Sequence, residues 1–360
     1  MQSKTDHYRP KKPTAQMLAL LFAIIWLLLA ACGAAQLQVP PENQSSPNAP
    51  IKPVDTSAVQ ASPTDVTSTA AEPVQLDSAT PPSLTESPGQ NQPTKAPTQR
   101  VPLSTDAWKD LPIIPSLSDT ARQIYQRGLS LGRNSHAFSK IGDCQNITTY
   151  FLALFDRPGF YHLGDQSYLQ ATIDWFSGSF KRESLAVRGG LNAAAMLSPL
   201  RADPNSCQTG ESPLTCELRI NNPSFAIISL EEWWADDPTK YEHYMRQIIE
   251  YTLSQDILPI LATKADNLEG DHLINQTIAQ LAWEYDLPLW NFWLAVQPLP
   301  NHGLIQKTPD GKPDLFHLTH GNYYYYTDLQ ALQSGWAMRN LTALQVLDAI
   351  QRALNGQALP

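Results

Sequence analysis

Cys144 is the residue of this chain most easily made reactive. It follows Gly142 and Asp143 directly. Its thiol, ordinarily with a pKa of about 8.5, turns nucleophilic where a base or a helix N-terminus draws off the proton. Far downstream, Asp314-Leu315-Phe316-His317 sets a carboxylate and an imidazole two residues apart, close enough to meet within one turn of chain. Glu231 and Glu232 could form an acid/base pair for sugar chemistry, but neighbours on extended chain point to opposite faces, so at most one faces a cleft. His317 and His320 have the spacing of a metal pair, yet no further cluster completes a site, so neither metal nor cofactor is expected. Trp233, Trp234, Trp290, Trp293 and the run Tyr323 to Tyr326 could stack on sugar rings, although core packing accounts for most aromatics.

These residues need a frame, and apolar runs supply one. Ala137 to Ile141 reads as a strand that stops at Gly142-Asp143-Cys144, with Thr148 to Phe155 following as helix. Leu185 to Val187 repeats the pattern, ending at Gly189 and Gly190 before a helix from Leu191 to Leu197. Phe225 to Leu230 and Ile257 to Thr263 are apolar on both faces, as central strands of a covered parallel sheet are. Pro259 fits only near a strand start or at a bulge. Leu287 to Trp293 makes a fifth strand, and helices are expected over Tyr241 to Gln255, Asp271 to Tyr285 and Ala331 to Leu354. Strands alternating with helices imply a three-layer α/β/α sandwich around a mostly parallel five-stranded sheet. In such sheets a site gathers at the carboxyl ends of the strands, where Cys144, the glycine pair and Glu231 would all lie.

In their order, a Gly-Asp-Cys block on the first strand, a glycine block on the second and Asp-x-x-His before the last helix, the motifs resemble those of the SGNH or GDSL hydrolases. The likeness runs from about Phe138 to Leu354 and implies their flavodoxin-like fold. It places Cys144 where that family has its nucleophilic serine, His317 at the general base and Asp314 at the acid that orients it. It also implies an oxyanion hole from the N–H groups of Cys144 and of Gly189 or Gly190. The family's third donor, an asparagine, should fall within Glu231-Glu232-Trp233-Trp234, where none is present. A missing donor costs about 3 to 4 kcal/mol of transition-state stabilisation, and an ionised carboxylate in its place would cost more. Asn192 and Asn267, each after a strand end, are the candidate substitutes. Two functions stay open: ester hydrolysis by a Cys-His-Asp triad, with a small ester or glycan ester as substrate, or a disabled module that binds a glycan or envelope component.

The rest of the chain bears on location. Lys4, Arg9, Lys11 and Lys12 precede an unbroken apolar run from Met17 to Ala31, shorter than the roughly 20 residues of a spanning helix and typical of a secretory signal. Its end, Leu29-Ala30-Ala31-Cys32, resembles the lipobox of bacterial lipoproteins, which implies a lipidated Cys32 holding the protein to a membrane on its extracytoplasmic side. Of the 30 prolines, 13 fall in residues 33–105, a stretch without Phe, Trp or Tyr that reads as a disordered tether. Residues 106–360 then form one folded domain. With Cys32 assigned, Cys207 and Cys216 are expected to pair across a surface loop, leaving Cys144 outside any disulfide. A net charge of −9 leaves no basic excess for nucleic acid.

Overall fold

The computed structural model describes residues 100–231, 238–322, 324–328 and 330–357. The signal run, Cys32 and the tether up to residue 99 lie outside the described residues. The folded chain begins earlier than Asp106, because Arg100 already pairs with Asp286 at 2.7 Å and Val101 O accepts from the Trp283 indole at 2.9 Å.

Among the described residues four parallel strands make the sheet, in the order β1 (Asn134–Gly142), β2 (Pro223–Ser229), β3 (Leu258–Ala262), β4 (Leu289–Trp290). Every residue of β2 and β3 is buried, as expected of strands apolar on both faces. Pro259 sits second in β3, where a missing N–H is tolerated. The strand expected at Leu185 to Val187 does not form. Leu185 to Val187 contributes a single parallel bridge, Val187 to Gly142. Along that edge of β1, side chains take the acceptors a strand would have used: Arg182 Nη2 donates to Phe138 O at 2.8 Å and Ser184 Oγ to Lys140 O at 2.6 Å. β4 is also shorter than expected, because Asn291 turns the chain into a helix by accepting from Leu294 N at 3.3 Å.

The helices α1 (Asp119–Ser130), α2 (Gln170–Trp175), α3 (Ala193–Met196), α4 (Pro213–Asn221), α5 (Pro238–Ser254), α6 (Leu273–Tyr285), α7 (Phe292–Val296) and α8 (Gly335–Leu354) complete the frame. α1 packs on β2 and β3, α4 on β1, and α5 and α6 on β3, around one continuous apolar core. Two readings of the sequence need correction here. The segment from Ser206 to Cys216 is not all loop: Ser212 and Thr215 form a capping box, α4 starts at Pro213, and Cys216 lies buried within it, joined to Cys207 by a disulfide. The helix expected from Thr148 to Phe155 is absent. Lys140 Nζ donates to Thr148 Oγ1 at 2.8 Å, Leu152 N donates to Asn340 Oδ1 at 2.6 Å, and Asn340 Nδ2 donates to Tyr150 O at 2.9 Å. Leu152 has a φ of +67°, and only a short 3₁₀ turn, Ala153–Asp156, follows. Partners from distant elements outweigh local helix propensity.

Candidate active site

The end of β1 explains how Cys144 is held. Gly142 lies so close to Asn146 and to Ser229 O that a Cβ would collide with both, which makes glycine obligatory there. Asn146 Nδ2 donates to Ser229 O at 2.7 Å. The Asp143 carboxylate accepts from Gln145 N at 3.2 Å and from Glu231 N at 2.5 Å, tying the end of β1 to that of β2. Cys144 opens a 3₁₀ turn of three residues, Cys144–Asn146. No α-helix starts there, so the help expected for a thiolate from a helix N-terminus is missing.

Asp314 and His317 meet as their spacing predicts. Their loop runs between two antiparallel bridges, Leu304 with Leu318 and Lys307 with Pro313. His317 Nδ1 lies 3.0 Å from Asp314 Oδ2, while Asp314 Oδ1 accepts from His317 N at 3.1 Å. Burial acts to raise the Asp314 pKa, but the His317 N–H and ring outweigh it and hold the carboxyl below its ordinary value. An ionised acceptor at Nδ1 keeps the proton on that nitrogen and leaves Nε2 as the basic end of a ring that is 41% exposed.

Gln145 joins the two segments, its Nε2 donating to Phe316 O at 2.7 Å across 171 residues of sequence. On the other side stands the glycine block. A Cβ placed on Gly189 would lie 3.6 Å from Cys144 Sγ, so the backbone there packs against the sulfur. Gly190 has a φ of +72°, a conformation that favours glycine.

Of the side chains proposed for the missing donor, Asn267 commits its amide N–H group locally, whereas Asn192 commits its oxygen. Asn192 caps α3, its Oδ1 accepting from Ala195 N at 2.8 Å. Asn267 is exposed and serves its own loop, accepting from His272 N at 2.8 Å and donating to Gly270 O at 3.1 Å. Glu231 does not face a cleft. It is buried, 3.3 Å from Ser229 Oγ and 3.4 Å from Arg339 Nη1. Burial pushes its carboxyl pKa well above the ordinary range, with Arg339 pulling down and Asp143 adding to the rise. Glu232, Trp233 and Trp234 lie outside the described residues. Trp290 is core, and Trp293 packs edge-on to Trp108 at 4.9 Å. His320 sits among Tyr150 and Trp336 rings. Among the described residues, the group close enough to share a metal ion is Cys207, Glu211 and Cys216, whose two sulfurs are already joined.

Sequence reasoning missed two buried cations around this turn. Arg339, on α8, donates from Nε to Gln145 O at 2.9 Å and from Nη2 to Ser229 Oγ at 2.8 Å, and it lies about 5 Å from the rings of Phe151, Trp290 and Phe292. Its signal was legible as the one charged residue in the first half of the last helix, residues 335–344. Lys140, on β1, donates to Thr148 Oγ1 and, at 3.0 Å, to Phe180 O. Burial first, then the Arg182 charge, lowers its pKa to about 7.

No protein-family model matches the chain, and no curated protein matches its sequence. Among solved structures, the chain is similar to a protein described as lipolytic and of the G-D-S-L family from Desulfitobacterium hafniense DCB-2, at 13% identity and a TM-score of 0.34, over 59% of this chain and 99% of that one. It is also similar to a mutant of the esterase AlinE4, at 20% identity and a TM-score of 0.29, over 63% of this chain and 98% of that one.

Proposed function

We propose that the protein is an extracytoplasmic ester hydrolase of the SGNH type, anchored to a membrane through lipidated Cys32, with Cys144 as nucleophile, His317 as general base and Asp314 as its orienting acid. The observation that carries this reading is the Asp314–His317 pair, 3.0 Å apart, on a loop that Gln145 fastens to the turn bearing Cys144.

In the first half-reaction the sulfur attacks the ester carbonyl carbon while its proton passes to His317 Nε2. The N–H groups of Cys144 and of Gly189 or Gly190 take the negative charge that develops on the carbonyl oxygen. Collapse breaks the C–O bond, His317 gives the proton to the departing alcohol, and a thioester remains on Cys144. Water, deprotonated by His317, then attacks that thioester and releases the acid, and the thiol regains its proton. Asp314 stays ionised throughout and fixes the ring. With Glu231 turned into the core, its own carboxylate does not oppose an oxyanion.

A second reading, a binding module on the same frame, draws support from Asn267, whose amide donates to Gly270 O within its own loop rather than toward an oxyanion. Hydrolysis of p-nitrophenyl acetate and of a short thioester by the full chain in detergent micelles separates the two. The hydrolase turns both over, iodoacetamide stops it, and Cys144→Ala is inactive. Undiminished turnover by Cys144→Ala removes the triad, and no turnover by the parent favours the binding module.

A further inference from the structure

We infer that the groove between Tyr161 and Tyr325 is a second binding site, sharing no residue with Cys144, Asp314 and His317, and that its ligand is an uncharged polysaccharide. The inference goes beyond the hydrolytic reading and does not depend on it. Two open cavities, of about 630 and 410 Å³, share Tyr161 and Gln170 and so form one groove. Within it Tyr161 Oη donates to Gln170 Oε1 at 3.2 Å, and Gln170 Nε2 donates to Asp174 Oδ1 at 2.8 Å.

One wall draws on the tyrosine run. The rings of His162 and Tyr325 stack with centroids 4.4 Å apart and planes 11° from parallel. Backbone bonds hold that stack in place: His162 N donates to Tyr324 O at 2.8 Å and Tyr326 N to His162 O at 2.9 Å. Gly164, at a φ of +54°, passes so close to Thr327 that any Cβ would collide with it. Tyr326 is buried in the core, whereas Tyr325 is 41% exposed with its ring lining the groove. Within one short run, Tyr326 thus serves packing and Tyr325 the surface.

Shape, chemistry and charge each narrow the ligand. An open, shallow groove suits a polymer lying across it better than a small molecule that must be enclosed. Ring faces beside hydroxyls, a primary amide and a carboxylate match the alternating C–H faces and hydroxyl edges of sugar rings. No lysine or arginine lines either cavity, while Asp156 and Asp174 do. Both Asp156 oxygens are occupied, by Gly178 N at 2.7 Å and Lys181 N at 2.8 Å. An acidic lining repels uronates, phosphate-bearing polymers and nucleic acid alike.

The test is titration calorimetry of the full chain in detergent micelles with cellohexaose, chitohexaose, mannohexaose and, as the anionic control, hexagalacturonate. At least one neutral hexasaccharide binds saturably. Tyr325→Ala weakens that binding roughly tenfold, and Tyr325→Phe and Cys144→Ala leave it unchanged. Should Tyr325→Ala lose its native circular dichroism, Ser167→Trp, which fills the groove from an exposed position, serves in its place and abolishes binding. The proposal is overturned if no neutral hexasaccharide saturates, if hexagalacturonate binds tightest, or if the substituted groove binds as the parent does. Because Cys144→Ala keeps the site, failure here and failure of the hydrolytic reading are told apart.

Discussion

At the scale of single residues, the candidate chemistry rests on how Asp314 and His317 divide a proton. The carboxylate receives the His317 N–H on one oxygen and the ring on the other, which offsets its burial and keeps it ionised below the ordinary aspartate range. A depressed folded pKa adds stability above the unfolded value, and that contribution is lost only as pH falls through the lowered one. Removing the charge but not the shape isolates its role. Asp314→Asn should lower kcat by on the order of 10²- to 10⁴-fold with little change in KM, because an amide can donate to Nδ1 and so favour the wrong tautomer. Steady-state kinetics at neutral pH checks this, and an unchanged kcat would remove Asp314 from the mechanism.

At the scale of elements, contacts between distant segments hold the turn bearing Cys144 and the chain that follows it. Gln145 spans from that turn to the His317 loop, so Gln145→Leu, which keeps the volume and removes the donor, should cut kcat about 10- to 100-fold while the thermal midpoint moves only slightly. A large fall in midpoint with kcat per folded molecule unchanged would make Gln145 merely structural. Lys140 pins the segment after the turn to Phe180. Its folded pKa of about 7 lies below the ordinary lysine value of 10.5. Between those limits the unfolded chain binds the extra proton, so the free energy of unfolding rises with pH. The slope is at most about 1.4 kcal/mol per pH unit, and the full burial penalty is present below the window. Urea unfolding at pH 7, 8 and 9 should show that rise in the parent and a flatter dependence in Lys140→Met. Equal slopes in the two proteins would mean that Lys140 keeps its charge throughout.

At the scale of the whole molecule, the proposed function joins a lipid anchor at Cys32 to a folded domain. The domain itself is a parallel sheet with both faces covered, and Cys144 and Glu231 lie just past the carboxyl ends of β1 and β2. In membrane fractionation of a bacterial host exporting the chain, the parent protein should sediment with the membranes and Cys32→Ser should appear in the soluble extracytoplasmic fraction. Sedimentation of Cys32→Ser alongside the parent would instead point to the apolar run itself as the anchor.

How far the sequence could be read varied with the reach of the forces involved. Central strands were legible because two-sided burial leaves unbroken apolar runs, as in Phe225 to Leu230, and the Asp314–His317 pair was legible because two intervening residues fix a local encounter. The strand expected at Leu185 to Val187 and the helix after Thr148 were misread, since their backbones are satisfied by Arg182, Ser184, Lys140 and Asn340, partners that no local pattern announces. Glu231 shows the same limit: two residues past the end of β2, its side chain lies against Arg339 rather than in a cleft, a pairing 108 positions apart in sequence. The amino-acid order by itself determined the alternation of strand and helix and the candidate thiol, imidazole and carboxylate, because periodicity and short spacing act between near neighbours. Tertiary packing alone decided which acid is buried, which asparagines are engaged elsewhere and which tyrosine remains at the surface, because each of those depends on groups that meet only once the chain has closed on itself.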